Sequence, residues 1–210
     1  MMVKKLLVAG WLALNLLMTA SAQEADEMMA KVRAKYQTAT DFKADLELLT
    51  CSAASGTCQR FEGKLEMKKP NRMRMEIRKP EAQQIICDGS SLWLYLESER
   101  QVVRTDLAES RDYLIMLNPL DRLLKAKCQN GCKTNGDYQC WLDIPELKGL
   151  LKEIKVIFDR KTLLITGLDI TDVNDNSSEY RFRNIKLNAG LKDNRFDFVV
   201  PPKARLIDAN

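Results

Sequence analysis

From Phe42 onwards apolar residues recur at every second position, and that period restricts the fold more than any other feature of the chain. The clearest run is "RMRMEIR", residues 72–78. Arg72, Arg74, Glu76 and Arg78 alternate in it without a break with Met73, Met75 and Ile77. Strict alternation marks a β-strand with one wet and one dry face, because successive side chains point to opposite sides of the pleat. Methionine is not a favoured strand residue; β-branched side chains fit a pleated surface better. Its flexible, polarisable thioether suits a surface that re-packs around different contents. The dry face therefore has two readings. It fills gaps in a solid core, or it lines a hollow that accepts variable apolar cargo.

The alternation repeats along the chain. Phe42, Ala44, Leu46 and Leu48 alternate with Lys43, Asp45 and Glu47, and Phe61, Gly63, Leu65 and Met67 with Glu62, Lys64, Glu66 and Lys68. Turn signals at "PN" (70–71), "KPEA", "DGSS" and "ESER" bound the short strands "QQIIC", "LWLYL" and "QVVRT". Strand patterns resume at "YQCWLDI", "LKEIKVIFD", "LLITGLDITDV" and "SEYRFRNIKLN", and "NRFDFVVPP" closes the set. Roughly ten strands are expected, all antiparallel because their connections are short. Two helical stretches interrupt them. Ala25, Met28, Met29, Val32 and Tyr36 are spaced for an amphipathic packing helix ending near Thr40. After Asp106, which forms a capping box with Glu109, two short helices are expected, broken at Pro119. A sheet this large tends to curl, and a barrel of more than about eight strands tends to enclose a cavity.

The N-terminus reads as a cleaved secretory signal over residues 1–22: Lys4 and Lys5, an apolar run from Leu6 to Met18, then Ala20 and Ala22 in A-x-A register. The run is too short for a membrane span, and no cysteine follows the cleavage point. Residues 23–210 are expected to form one exported, monomeric domain. Loss of Lys4 and Lys5 lowers the formal charge from +4 to +2, which gives no reason to expect nucleic acid. Disulfides persist in an exported chain, and six cysteines are available: Cys51, Cys58, Cys87, Cys128, Cys132 and Cys140. Cys51 and Cys58 flank the turn-like "SAASGT" and are expected to pair; the other four could supply two more bridges in an order that spacing does not define. A zinc or redox reading of "CQNGC" is weaker, since paired C-x-x-C spacing is absent.

Catalytic machinery is hard to find. No histidine is present, which removes Ser–His–Asp and Cys–His sites and the commonest metal ligand. No glycine-rich phosphate loop is present. "DVNDN" at 172–176 lacks the glycine and distal glutamate of a calcium loop and reads as a hairpin turn. A binding protein is expected rather than an enzyme, with no cofactor and no metal.

The central run resembles the periplasmic lipoprotein carriers of the LolA family. The shared frame is Gly63 and Leu65, the basic pair Lys68 and Lys69 before Pro70-Asn71, alternating apolar residues, Pro80, then Asp88-Gly89 and Leu92-Trp93-x-Tyr95. "IKVIFDRKTLLITGLDITD", "YRFRNIKLN" and "FDFVVPP" are similar more loosely, so the resemblance runs from Phe42 to Pro202. It implies a half-open antiparallel barrel lidded by helices, with an apolar cavity for lipoprotein acyl chains. It also implies transfer from an inner-membrane transporter to an outer-membrane receptor. On that reading Leu46, Leu65, Met67, Met73, Met75 and Ile77 line the cavity, and Leu114, Ile115 and Leu117 face it from the lid. Met75→Glu is then expected to abolish cargo binding while folding survives. The family carries an arginine that latches the lid immediately before Pro-Asn. Here Lys69 stands there, a point donor in place of a planar fork. The alternative is a periplasmic lipid- or glycolipid-binding protein, or an envelope-stress sensor of the same barrel. Such sensors usually add a second C-terminal domain, whereas this chain ends at "PPKARLIDAN" soon after its last expected strand.

Overall fold

The computed structural model describes residues 27–108 and 124–209. The expected leader, and Leu114, Ile115 and Leu117 of the expected lid, lie outside the described residues. Helix α1 spans 27–37. Six strands follow: β1 Asp41–Cys51, β2 Cys58–Lys68, β3 Arg72–Lys79, β4 Gln83–Cys87, β5 Ser91–Leu96 and β6 Gln101–Asp106. The second group is β7 Lys127–Asn135, β8 Asp137–Asp143, β9 Leu151–Phe158, β10 Ile165–Asp172 and β11 Ser177–Leu187, with β12 Arg205–Ala209 at the C-terminal end. All twelve form one sheet in the order β12-β6-β5-β4-β3-β2-β1-β11-β10-β9-β8-β7. The sheet curls but does not close, so the fold is mainly β and half-open, as the resemblance implies.

Two expectations are corrected, and one strand is added. The sheet is not wholly antiparallel, because β12 runs parallel to β6. "CQNGC" lies within an additional strand, β7. "NRFDFVVPP" is not a strand: it holds a 3₁₀ turn, Asp193–Phe196, on an extended segment that leads to β12.

That segment corrects the reading of "RMRMEIR" as a strand with one wet face. Residues 188–198 lie against the convex face of β2–β5 before the chain joins the sheet edge as β12. The Asp41 carboxylate accepts from the backbone N–H groups of Ala189, Gly190 and Leu191 at 2.6, 3.1 and 3.2 Å. Lys68 reaches Asp193 at 2.6 Å and Arg72 reaches it at 3.3 Å. Arg74 donates to the Arg195 carbonyl. Phe196 is fully buried, and Phe198 stacks on Trp93 at 5.2 Å between centroids. The charged side of β3 thus grips the C-terminal belt.

The turn signals converge at one end of the sheet. The Asp88 carboxylate accepts from the N–H groups of Ser90 and Ser91 and from the Trp93 indole. Gly89 sits at φ +108°, where a side chain is strained, and its carbonyl accepts from Asn71 Nδ2 at 2.9 Å. The Pro-Asn and Asp-Gly motifs therefore belong to one hydrogen-bonded corner.

Candidate functional site: the concave apolar face

The six residues expected to line a cavity lie on one face of β1–β3, in cross-strand rows fixed by register. Phe42, Met67, Met73 and Cys87 form the first row; Ala44, Leu65, Met75 and Ile85 the second; Leu46, Gly63 and Ile77 the third. Leu46, Leu65, Met67, Met73, Met75 and Ile77 are all buried and share one cluster with Met29, Val32 and Tyr36 of α1. The 3.6-residue period of α1 turns those three toward the sheet. The far half of the sheet contributes Tyr138, Val156, Phe158 and Ile165 to the same cluster.

The next row is less buried. Half-buried Phe61 and Tyr180 flank the buried Leu48, and half-buried Leu168 follows Tyr180. Burial still holds the Tyr180 phenol above its ordinary pKa. Phe61, Tyr180 and Leu168 were not singled out from sequence, although the alternation that marked Met75 also marks them. Choosing between the equivalent rows needed the pairing register. The face therefore grades from a buried floor under α1 to an open apolar end.

Helix α1 is tied through its C-terminal half. Lys69 Nζ donates to the carbonyls of Tyr36 and Gln37 at 2.8 and 3.0 Å, where a cation also favours the helix C-terminus. Its partners among the described residues are thus on α1. Arg33 donates to the carbonyls of Leu124 and Ala126 at 2.5 and 2.7 Å, holding the chain where that segment ends. The Ile165 N–H donates to the Tyr36 phenol oxygen at 2.7 Å in a buried setting.

That last bond yields a test. Tyr36→Phe leaves the Ile165 N–H without its acceptor, at a cost of about 1–3 kcal/mol in urea unfolding. Burial also pushes the Tyr36 pKa from 10.0 to about 12, with the Ile165 hydrogen bond opposing only in part. A raised pKa means that the unfolded chain ionises first. The contribution is present below pH 10 and is lost as pH rises through 12. Tyr36→Phe should lack this part of the alkaline loss; an unchanged alkaline limb would show that the phenol is not sequestered.

The cysteines divide. Cys51–Cys58 is bridged as expected, and Cys132–Cys140 links β7 to β8. Cys128 Sγ lies 3.9 Å from Cys132 Sγ. The possible third bridge is not formed. Cys87 is a buried thiol in the first apolar row, donating to the Asn71 carbonyl, and burial pushes its pKa up and keeps it inert. "DVNDN" is the expected hairpin turn, with the Asp172 carboxylate accepting from the N–H groups of Asn174 and Asn176.

The fold and this face define a class: an open, largely antiparallel sheet curled around one continuous apolar surface, with a helix laid against it. The family model described as "Outer membrane lipoprotein carrier protein LolA" matches residues 37–199, and the chain belongs to that family. It is 28% identical over 207 residues to an outer-membrane lipoprotein carrier protein of Glaesserella parasuis, covering 98% of this chain and 95% of that one. The same description applies to a relative from Chromobacterium violaceum, 28% identical over 205 residues, covering 94% and 93%. An uncharacterized conserved protein from Thermus thermophilus superposes with a TM-score of 0.54 at 12% identity, over 90% of this chain and 99% of that structure; it shares the fold.

Proposed function

We propose that this protein is a periplasmic carrier that holds the acyl chains of lipoproteins on its concave face and delivers them between membranes. The observation that carries the reading is the graded apolar face, with a buried floor at Met73 and Met75 and an open end at Phe61, Leu168 and Tyr180. Membership of the carrier family supports it. Each methylene withdrawn from water is worth about 0.8 kcal/mol, so a few chains supply ample affinity. Release then requires a bound and an open state of similar energy. Helix α1, held by Lys69 and Arg33 rather than by continuous strand pairing, is the element that moves. An inner-membrane transporter and an outer-membrane receptor are the implied partners, and residues 1–22 are the export signal.

The test is native mass spectrometry of the protein purified without detergent from its host's periplasm. An adduct with the mass of a lipidated protein is expected. A small-lipid adduct would shift the function to lipid transport or sensing. A clean apo mass, unchanged after lipoprotein is added, would overturn the reading. The structure also moves the fold-sparing substitution. Met75 is only 6% exposed, so a glutamate there buries a carboxyl among apolar side chains at several kcal/mol. Leu168 is half-buried on the same face. Leu168→Glu should cut cargo affinity at least about tenfold, roughly 1.4 kcal/mol, with little change in melting temperature.

A further inference from the structure

We infer that the hollow where β1, β2 and β11 meet seats the uncharged, hydrogen-bonding head of an amphiphile whose apolar chain lies on the concave face. This rests on the carrier reading and adds the polarity of the head.

The register places the subsite. Thr50 faces Gln59 on β2 and Ser178 on β11, one row beyond Leu48, Phe61 and Tyr180. Moving along these three strands, the concave side passes from Leu46 and Phe182, through Leu48, Phe61 and Tyr180, to Thr50, Gln59 and Ser178. Apolar side chains give way to hydroxyl and amide side chains within two residues, which is the polarity profile of an amphiphile. The hollow at that end has a volume of about 600 Å³, within the range of small-molecule sites. Ser52, Thr57 and Asn176 join Thr50, Gln59 and Ser178 around it, and no charged side chain lines it.

Neutrality is not the habit of this surface. Charged residues make up 30% of the chain. A neighbouring hollow of about 610 Å³ is lined by Asp45, Glu47, Glu62, Arg78, Lys79 and Arg183. The neutral hollow is also held in shape. The Cys51–Cys58 bridge closes its turn, the Ala53 N–H donates to Asn176 Oδ1 at 3.0 Å, and Asn176 Nδ2 donates to Asp172 at 2.8 Å. The side chains of Thr50, Gln59 and Ser178 make no hydrogen bond to protein among the described residues, so their donors and acceptors are available on a fixed frame. A phosphate head would lose hydration here without meeting a cation, whereas hydroxyl, amide or ester groups would exchange water for matched partners. Two sources present that chemistry: the acylated glyceryl-cysteine end of a lipoprotein, and the sugar of a neutral glycolipid.

The experiment titrates the full mature protein with four probes of matched acyl length: a triacylated lipopeptide, a monoglucosyl diacylglycerol, phosphatidylglycerol and palmitate. Titrations are repeated with the Thr50→Val/Ser178→Ala double variant, which removes two hydroxyl groups, each a donor and an acceptor, and keeps the side chains close to their original size. At least one neutral diacyl or triacyl probe should bind ten times more tightly than phosphatidylglycerol. The double variant should erase most of that preference while leaving phosphatidylglycerol and palmitate unchanged. Whichever neutral probe holds the preference identifies the source. Equal affinity for neutral and anionic heads, or a variant that leaves the preference intact, overturns the subsite while the carrier reading stands. Failure of all four probes to bind overturns the carrier reading, and the subsite with it.

Discussion

Gly63→Ala should destabilise the protein by at least about 3 kcal/mol, beyond the usual range for an overpacked core. Gly63 lies on β2 between Leu46 and Ile77, where the β2–β3 register shifts. A Cβ built there would stand 2.0 Å from the Glu76 carbonyl oxygen and 2.9 Å from the Glu76 carbonyl carbon. Both are backbone atoms, so no side chain can swing aside. The only relief is separation of β2 from β3, which disrupts the Lys64–Glu76 and Leu65–Met75 pairings beside it. In a chain of this size that cost lowers the melting temperature by roughly 6–12 °C. Urea unfolding of the variant measures it; a loss under about 0.5 kcal/mol would mean that the two strands do not approach so closely.

Gly63 also marks how far the sequence could be read. Alternation in β2 put it on the dry face, and the family frame contains it, but neither says why a side chain is excluded there. The reason is a close approach by another strand, visible only once register is known. The local features were legible. The strand runs of β1–β6, the "DGSS" turn and the Cys51–Cys58 bridge follow from period, turn chemistry and proximity. The non-local ones were not. In β7, Asn130 and Gly131 are poor strand formers, and the segment is a strand because β8 pairs with it and Cys140 bridges to Cys132. "RLIDA" carries too short a pattern to announce β12, whose place depends on a belt crossing the convex face to reach β6. Cys87 looked available for a bridge, but β4 stands eight places along the sheet order from β7 and seven from β8. At the candidate site, Met73 and Met75 were legible as one face, whereas the grading of that face from α1 to its open end required the rows.

The belt leads to the second large effect. Arg195→Met should cost about 2–4 kcal/mol near neutral pH, and the cost should shrink in acid. Glu66 points away from the candidate site, on the convex side of β2, and is only 3% exposed beneath the turn Asp193–Phe196. It accepts from Arg195 Nε at 2.5 Å and is paired with Lys43 at 3.1 Å. Burial pushes its carboxyl up; the hydrogen bonds and charges of Arg195 and Lys43 together outweigh that and hold it below 4.5. A lowered pKa contributes stability that is present above the unfolded value and is lost as pH falls through the folded one. Removing Arg195 leaves a buried carboxylate with Lys43 alone, the situation in which breaking a pair is expensive. As pH falls from 4.5 through the lower folded value, the contribution of the paired carboxylate is lost, so the two stability curves should converge towards the acid end. Urea unfolding from pH 3 to pH 7 gives the comparison. A difference that stays constant with pH would mean that Arg195 acts through packing alone. Convergence would establish that one charge pair fastens the belt to the strands whose opposite side is the apolar face, so that loosening it should loosen the floor beneath Met67 and Met73 as well.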